Sequence, residues 1–277
     1  MELDPGSVAG AQAAGWDSDG PRGVGTASVR DEVPAGRHYD PAGMEEKLAA
    51  LKPPVYRDPR PKEHFDRFHA RTRSREPDYV YELVRIATSL IAWTFFRARG
   101  FGAERVPAHG PLILAPNHFS FMDHFFAGAF IRRRVSFMAK SQLFKPPMQW
   151  IYTHGGVFPV RRGFDDEEAF VTANAILARG GTIVMYVEGT RSRTGQLADR
   201  PRRGIGRLVL DSGAPVLPVA IHGSSRVRNW KRLQFPQVTV TYGDLMRFDA
   251  IPDSTHEQQM GIAEQVFAAI KSLYYAT

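Results

Sequence analysis

Residues 112–126 read LILAPNHFSFMDHFF, a short apolar run, a break at Asn117 and His118, and then the start of a helical pattern. The segment therefore ends a strand and opens a helix. The same change of period recurs downstream. Strands are expected at Leu112–Ala115, Val135–Ala139, Val157–Val160, Thr182–Val187, Val216–Ile221 and Val238–Tyr242. Helices are expected at Phe121–Ile131, Asp165–Ala178, Gly204–Asp211 and His256–Tyr275. Strands alternating with helices indicate an α/β fold with a central, largely parallel sheet flanked by helices, its ligand site at the carboxyl ends of the strands. His118 stands at such an end.

Upstream the character changes. Residues 1–43 are rich in Gly, Pro, Ala, Ser and Asp, with few aliphatics and no period, and read as a disordered tail that cannot bury enough surface to offset its ordering entropy. Between Met44 and Pro77 short apolar patches, Leu48 with Leu51 and Phe65 with Phe68, sit among Pro and Arg and read as a transition segment. Tyr79–Phe96, YVYELVRIATSLIAWTFF, is the most apolar stretch, yet Glu82 and Arg85 interrupt it. The uncharged run beyond Arg85 is shorter than the roughly 20 residues a bilayer span needs. With Arg71, Arg73, Arg75, Arg97 and Arg99 nearby, it suits a helix lying on an anionic interface, or else a buried packing helix. Residues 44–104 are thus expected to be N-terminal helices that associate with a membrane, and residues 105–277 the α/β domain.

The 277 residues carry 43% hydrophobic and 23% charged side chains, an ordinary globular balance that argues against a collagenous, fully disordered or polytopic membrane chain. The net charge of +7 favours polyanionic partners such as lipid head groups, nucleic acid or phosphorylated metabolites. The absence of cysteine excludes disulfides, a thiolate nucleophile and CxxC-type zinc sites. No secretory signal pattern opens the sequence, so the cytoplasmic side of a membrane is the expected location.

An ideal helix would turn through about 500° between His118 and Asp123, leaving them roughly 140° apart, so the chain must bend for both to face one site. Ser120 is the expected N-cap, with His118 in the loop and Asp123 in the first turn, its carboxylate reaching back to the imidazole. Such a carboxylate fixes the tautomer and leaves the other ring nitrogen to take a proton from a hydroxyl. Ser120 and Asp123 equally fit the Ser-x-x-Asp form of the capping box, a purely structural role.

Two further segments deliver cations at strand ends. Glu188-Gly189-Thr190-Arg191-Ser192 follows TIVMYV, and Gly156-Val157-Phe158-Pro159-Val160-Arg161-Arg162-Gly163 ends in paired guanidiniums, which hold phosphate through parallel hydrogen bonds. Either is an ordinary basic edge when taken alone. In their order, His118 with Asp123 (HxxxxD), Gly156–Arg162, Glu188–Arg191 (EGTR) and Pro218 in APVLPVAIHGS resemble the four motifs of the glycerolipid acyltransferase family, typified by 1-acyl-glycerol-3-phosphate acyltransferase. Met138–Phe144, with Lys140, is similar to a further family segment. The match spans roughly residues 105–225 and departs from the common pattern at Val187, where many members have Pro.

The resemblance implies an acyl-CoA or acyl-ACP donor, with acyl carrier protein then a partner, and a lysophospholipid acceptor, most commonly 1-acyl-glycerol-3-phosphate; other lysophospholipids and glycolipids are acceptors of relatives. No cofactor or metal is implied. His118 and Asp123 would be catalytic, and Lys140, Arg161, Arg162, Glu188, Gly189, Thr190 and Arg191 would bind substrate, with Arg162 the better fit to the phosphate-binding position. Two rivals carry less. A metal-dependent hydrolase using His118, Asp123 and His124 lacks the usual ligand spacing. A non-catalytic binder of anionic membranes or nucleic acid has Arg132, Arg133 and Arg134 in its favour but no nucleic-acid motif.

Overall fold

The computed structural model describes residues 58–162, 166–192 and 194–276, so the expected tail lies outside them. In chain order the main elements are α1 (Glu63–Ser74), α2 (Tyr79–Thr94), β1 (Arg99–Phe101), β2 (Leu112–Pro116), α3 (Asp123–Ala129), β3 (Ser136–Lys140) and α4 (Met148–His154). They continue with β4 (Val157–Val160), α5 (Glu167–Ala178), β5 (Thr182–Val184), α6 (Gly204–Ser212), β6 (Val216–His222), β7 (Thr239–Tyr242) and α7 (His256–Tyr275). The strands form one mixed sheet in the order β1-β7-β6-β2-β5-β3-β4. β2 to β6 run parallel, and β7 turns back antiparallel on β6 while pairing in parallel with β1.

β2 lies at the centre, its residues all buried, as an apolar run in a parallel sheet requires. Its alternation splits the core. Leu112 and Leu114 face a cluster with Tyr81, Ala92, Phe96 and Phe126 under α2 and α3, while Ile113 and Ala115 face Ala173, Ile176, Leu208 and Val266 under α5, α6 and α7. Full burial of a side chain such as Leu112 or Ile113 contributes about 1.5–3 kcal/mol, so these strands fix which face each helix covers. From β2 the chain moves to β3 and β4 on one side, returns through β5, and crosses to β6 on the other. The crevice of that reversal opens at the carboxyl end of β2, where such folds bind ligands.

Several elements differ from the sequence expectation. β5 stops at Val184 rather than Val187; Met185 N–H still bonds to Leu114 O, but Gly189 N–H then turns back to Tyr186 O. α3 begins at Asp123 with Met122 at its cap, not Ser120, although Ser120 Oγ accepts the Met122 N–H at 3.1 Å. α1, by contrast, falls within the segment expected to be helical and buries Phe65, Phe68, His69 and Thr72. Half of that stripe is polar, and the His69 ring is satisfied by Thr172 Oγ1 at 2.8 Å. The sheet reaches back into the segment expected to be helical, because Arg99–Phe101 pairs with Thr239–Thr241.

Candidate active site

The loop after β2 is pinned from both sides. Asn117 mimics a strand partner, its Oδ1 accepting from Ile221 N–H at 2.7 Å and its Nδ2 donating to Ile221 O at 3.1 Å. His118 comes next. Its N–H donates to Glu188 Oε1 at 2.9 Å and its carbonyl accepts from Ser192 N–H at 2.8 Å. The EGTR segment is therefore bonded directly to the backbone of the histidine. Glu188 also accepts Ala198 N–H through Oε2 at 3.2 Å, so this carboxylate braces two loops.

The bend between His118 and Asp123 brings the side chains together, with Nδ1 2.9 Å from Asp123 Oδ2 and both groups buried. The same Oδ2 accepts the N–H groups of Phe119 at 2.7 Å and Ser120 at 2.7 Å. One carboxylate oxygen thus holds the imidazole and ties the turn before α3, whereas the capping box is not formed, because Met122 is the cap and Ser120 Oγ accepts from Met122 N–H. An ionised carboxylate only accepts, so Nδ1 carries the ring proton and Nε2 keeps its lone pair. Burial is the main cause that lowers the His118 pKa below its ordinary 6.5; Asp123 opposes the shift, and the charges of Arg191 and Arg162 add to it. Glu188 is shifted upward, again chiefly by burial.

Arg162 follows β4 and Arg191 follows β5, close enough that their charges act on each other and on His118. Among the described residues neither has a carboxylate partner. Arg161 differs, its guanidinium reaching the Arg60 carbonyl at 3.3 Å. Lys140 ends β3, half-buried, on the same edge of the sheet. Thr190 and Arg191 are exposed. Gly189 has φ +66°, and a Cβ there would lie 2.8 Å from Arg202 Cγ, so the turn itself calls for glycine.

The sequence reading missed two neighbours, Tyr186 and Tyr274, and placed His124 only as a candidate metal ligand. Tyr186 stacks on the His118 ring, centroids 3.8 Å apart. Its hydroxyl lies 2.9 Å from His124 Nδ1, so His124 faces Tyr186. Among the described residues no group of three or more His, Asp or Glu side chains is arranged to hold a metal ion. Tyr274 near the end of α7 meets Phe119 edge-on at 5.8 Å and lies flat on His222 at 3.9 Å, flanking the crevice from the opposite terminus.

Residues 98–222, which contain every one of these motifs, match the family model described as Acyltransferase. That stretch is similar to the acyltransferase family. A chloroplastic 1-acyl-sn-glycerol-3-phosphate acyltransferase of Brassica napus is 22% identical over 167 residues, covering 59% of this chain and 46% of that protein. Its counterpart in Arabidopsis thaliana is 23% identical over 149 residues, 52% of this chain and 41% of that one. A glycerol-3-phosphate acyltransferase of Aeromonas hydrophila is 29% identical over 152 residues, 49% of this chain and 19% of that one. The chain thus spans less than half the length of these curated relatives. The crystal structure of the 1-acyl-sn-glycerophosphate acyltransferase PlsC of Thermotoga maritima shares the fold of the acyltransferase domain, with a TM-score of 0.55, 22% identity, and coverage of 83% of this chain and 88% of that one.

Proposed function

We propose that the chain transfers a fatty acyl group from a thioester, acyl-CoA or acyl-ACP, to the free hydroxyl of a lysophospholipid. The acceptor that best suits the site is 1-acyl-glycerol-3-phosphate, giving phosphatidic acid. The observation that carries this reading is a buried His118–Asp123 pair at 2.9 Å beside two guanidiniums without carboxylate partners among the described residues. Neutral Nε2 takes the proton of the acceptor hydroxyl as its oxygen attacks the thioester carbonyl. The carbon–sulfur bond then breaks, and the imidazolium returns the proton to the leaving thiolate. Asp123 keeps the tautomer and stabilises the imidazolium. Arg162 and Arg191, with Lys140 on the same edge, neutralise the acceptor phosphate, so that binding remote from the reacting carbon positions the hydroxyl. Glu188 holds the His118 loop against the EGTR segment.

A membrane surface suits the lipid substrates, and α2 supports it. Tyr79, Leu83, Ile86, Leu90 and Trp93 are all exposed, and at 100° per residue they fall within a stripe about 80° wide. Among the described residues no helix is long and apolar enough to cross a membrane. A peripheral attachment at an anionic surface is part of this reading. The test is an acyl-transfer panel with a fixed long-chain thioester and acceptors with and without phosphate. Arg191→Ala is expected to raise KM about tenfold or more for the phosphate-bearing acceptor and to leave the neutral acceptor unchanged. Equal effects on both contradict phosphate recognition by Arg191.

A further inference from the structure

Two ring side chains that this reaction scheme leaves unused are built around the imidazole of His118. Tyr186, two residues before Glu188, lays its ring on that of His118 with the planes only 20° from parallel. The far end of the phenol is tied through its hydroxyl to His124 Nδ1 at 2.9 Å. Burial keeps His124 neutral, its pKa lowered to about 3, and keeps the Tyr186 phenol protonated, so the two share one neutral hydrogen bond, the hydroxyl donating to Nδ1 when the ring proton sits on Nε2. Phe137 of β3 meets the His124 ring nearly at right angles, centroids 5.3 Å apart. His118 is therefore held at two places, at Nδ1 by Asp123 and across its face by Tyr186.

We infer that Tyr186 and His124 form a positioning pair that fixes the plane of the His118 ring and gives the forming imidazolium an aromatic face. The inference rests on the reading of His118 as the general base. One hydrogen bond at Nδ1 leaves the ring able to rock about that contact, which swings Nε2 away from the acceptor oxygen. A stacked ring blocks the rocking, and proton transfer is sensitive to misalignment of this kind. The second contribution is electrostatic. Arg162 and Arg191 oppose the positive charge that His118 acquires, and the electron-rich face of a phenol offsets part of that opposition. Both effects act through His118, so neither residue needs to touch substrate.

The test measures kcat and both KM values per mole of folded enzyme for wild type, Tyr186→Phe, His124→Leu, His124→Asn and the Tyr186→Phe/His124→Leu double variant, with His118→Ala in the same assay. Tyr186→Phe and His124→Leu each remove the hydroxyl–imidazole contact and are expected to lower kcat about three- to tenfold, the scale of one hydrogen bond, with KM unchanged. The double variant is expected to be no slower than the slower single one, since both remove the same contact. His124→Asn keeps an acceptor near the Nδ1 position and is expected to recover most of the loss. Unchanged kcat in Tyr186→Phe and His124→Leu overturns the inference, as do losses that multiply in the double variant or fall on KM. A His118→Ala variant as fast as wild type brings down the reading on which the inference rests.

Discussion

At the scale of single residues, His118 is poised by opposing forces. Burial, Arg191 and Arg162 favour the neutral ring, and Asp123 favours the charged one, with burial the largest. The net direction is down, so the base form persists below the ordinary histidine value of 6.5. The acid limb of kcat/KM is therefore expected below that pH, and Arg191→Ala, by removing a repelling charge, should move the limb upward; a pH–rate profile of both enzymes checks it. A wild-type limb above 6.5, or a downward movement in the variant, contradicts this balance. The pairing of His118 with Asp123 was legible because five-residue spacing limits how the chain can bend. Asn117, Tyr186 and Tyr274 were not, since each acts on a partner distant in sequence: Ile221 in β6, His118 after β2, and Phe119 with His222.

At the scale of elements, α2 joins two surfaces of opposite purpose. Tyr81, Ser89 and Ala92 are buried, Tyr81 and Ala92 in the core, while Leu83, Ile86, Leu90 and Trp93 point outward. The sequence offered an interface helix or a packing helix as alternatives, and the structure gives the helix one buried and one exposed apolar face. Because exposed leucines contribute little to the fold, Leu83→Glu/Leu90→Glu is expected to melt near the wild-type temperature. Its co-sedimentation with anionic phospholipid vesicles should fall about tenfold or more, the scale of two lost apolar insertions. Undiminished binding contradicts the membrane role. The central strands were legible because a fully buried strand needs an unbroken apolar run. β1, Arg-Gly-Phe, carries no such run and forms through backbone pairing with β7. α1 lies in the segment expected to be helical, but its bounds were not legible because the polar His69 and Thr72 complete its buried stripe, His69 being satisfied by Thr172 and Thr72 by the Phe68 carbonyl.

At the scale of the molecule, the parallel sheet brings residues from separate segments to one edge, and the same packing buries histidines in their neutral form. His69 titrates at about 4 and His124 at about 3, both because of burial. Their folded values lie below the unfolded value, so the unfolded chain binds more protons as pH falls. Stability is fully present above about 6.5 and is lost on acidification toward the folded pKa, by on the order of 3 kcal/mol for His69 alone at pH 4. Urea melts at pH 7 and pH 4.5 are expected to show that loss, and a flat profile contradicts it. The central claim concerns the neutral imidazole that this packing holds at the carboxyl end of β2. Its most direct test is single-turnover acyl transfer by His118→Ala, with saturating thioester and lysophospholipid, alongside circular dichroism of the variant. A folded protein slowed by about 10²–10⁴ or more is the expected result; a folded protein that still transfers at the wild-type rate would contradict it.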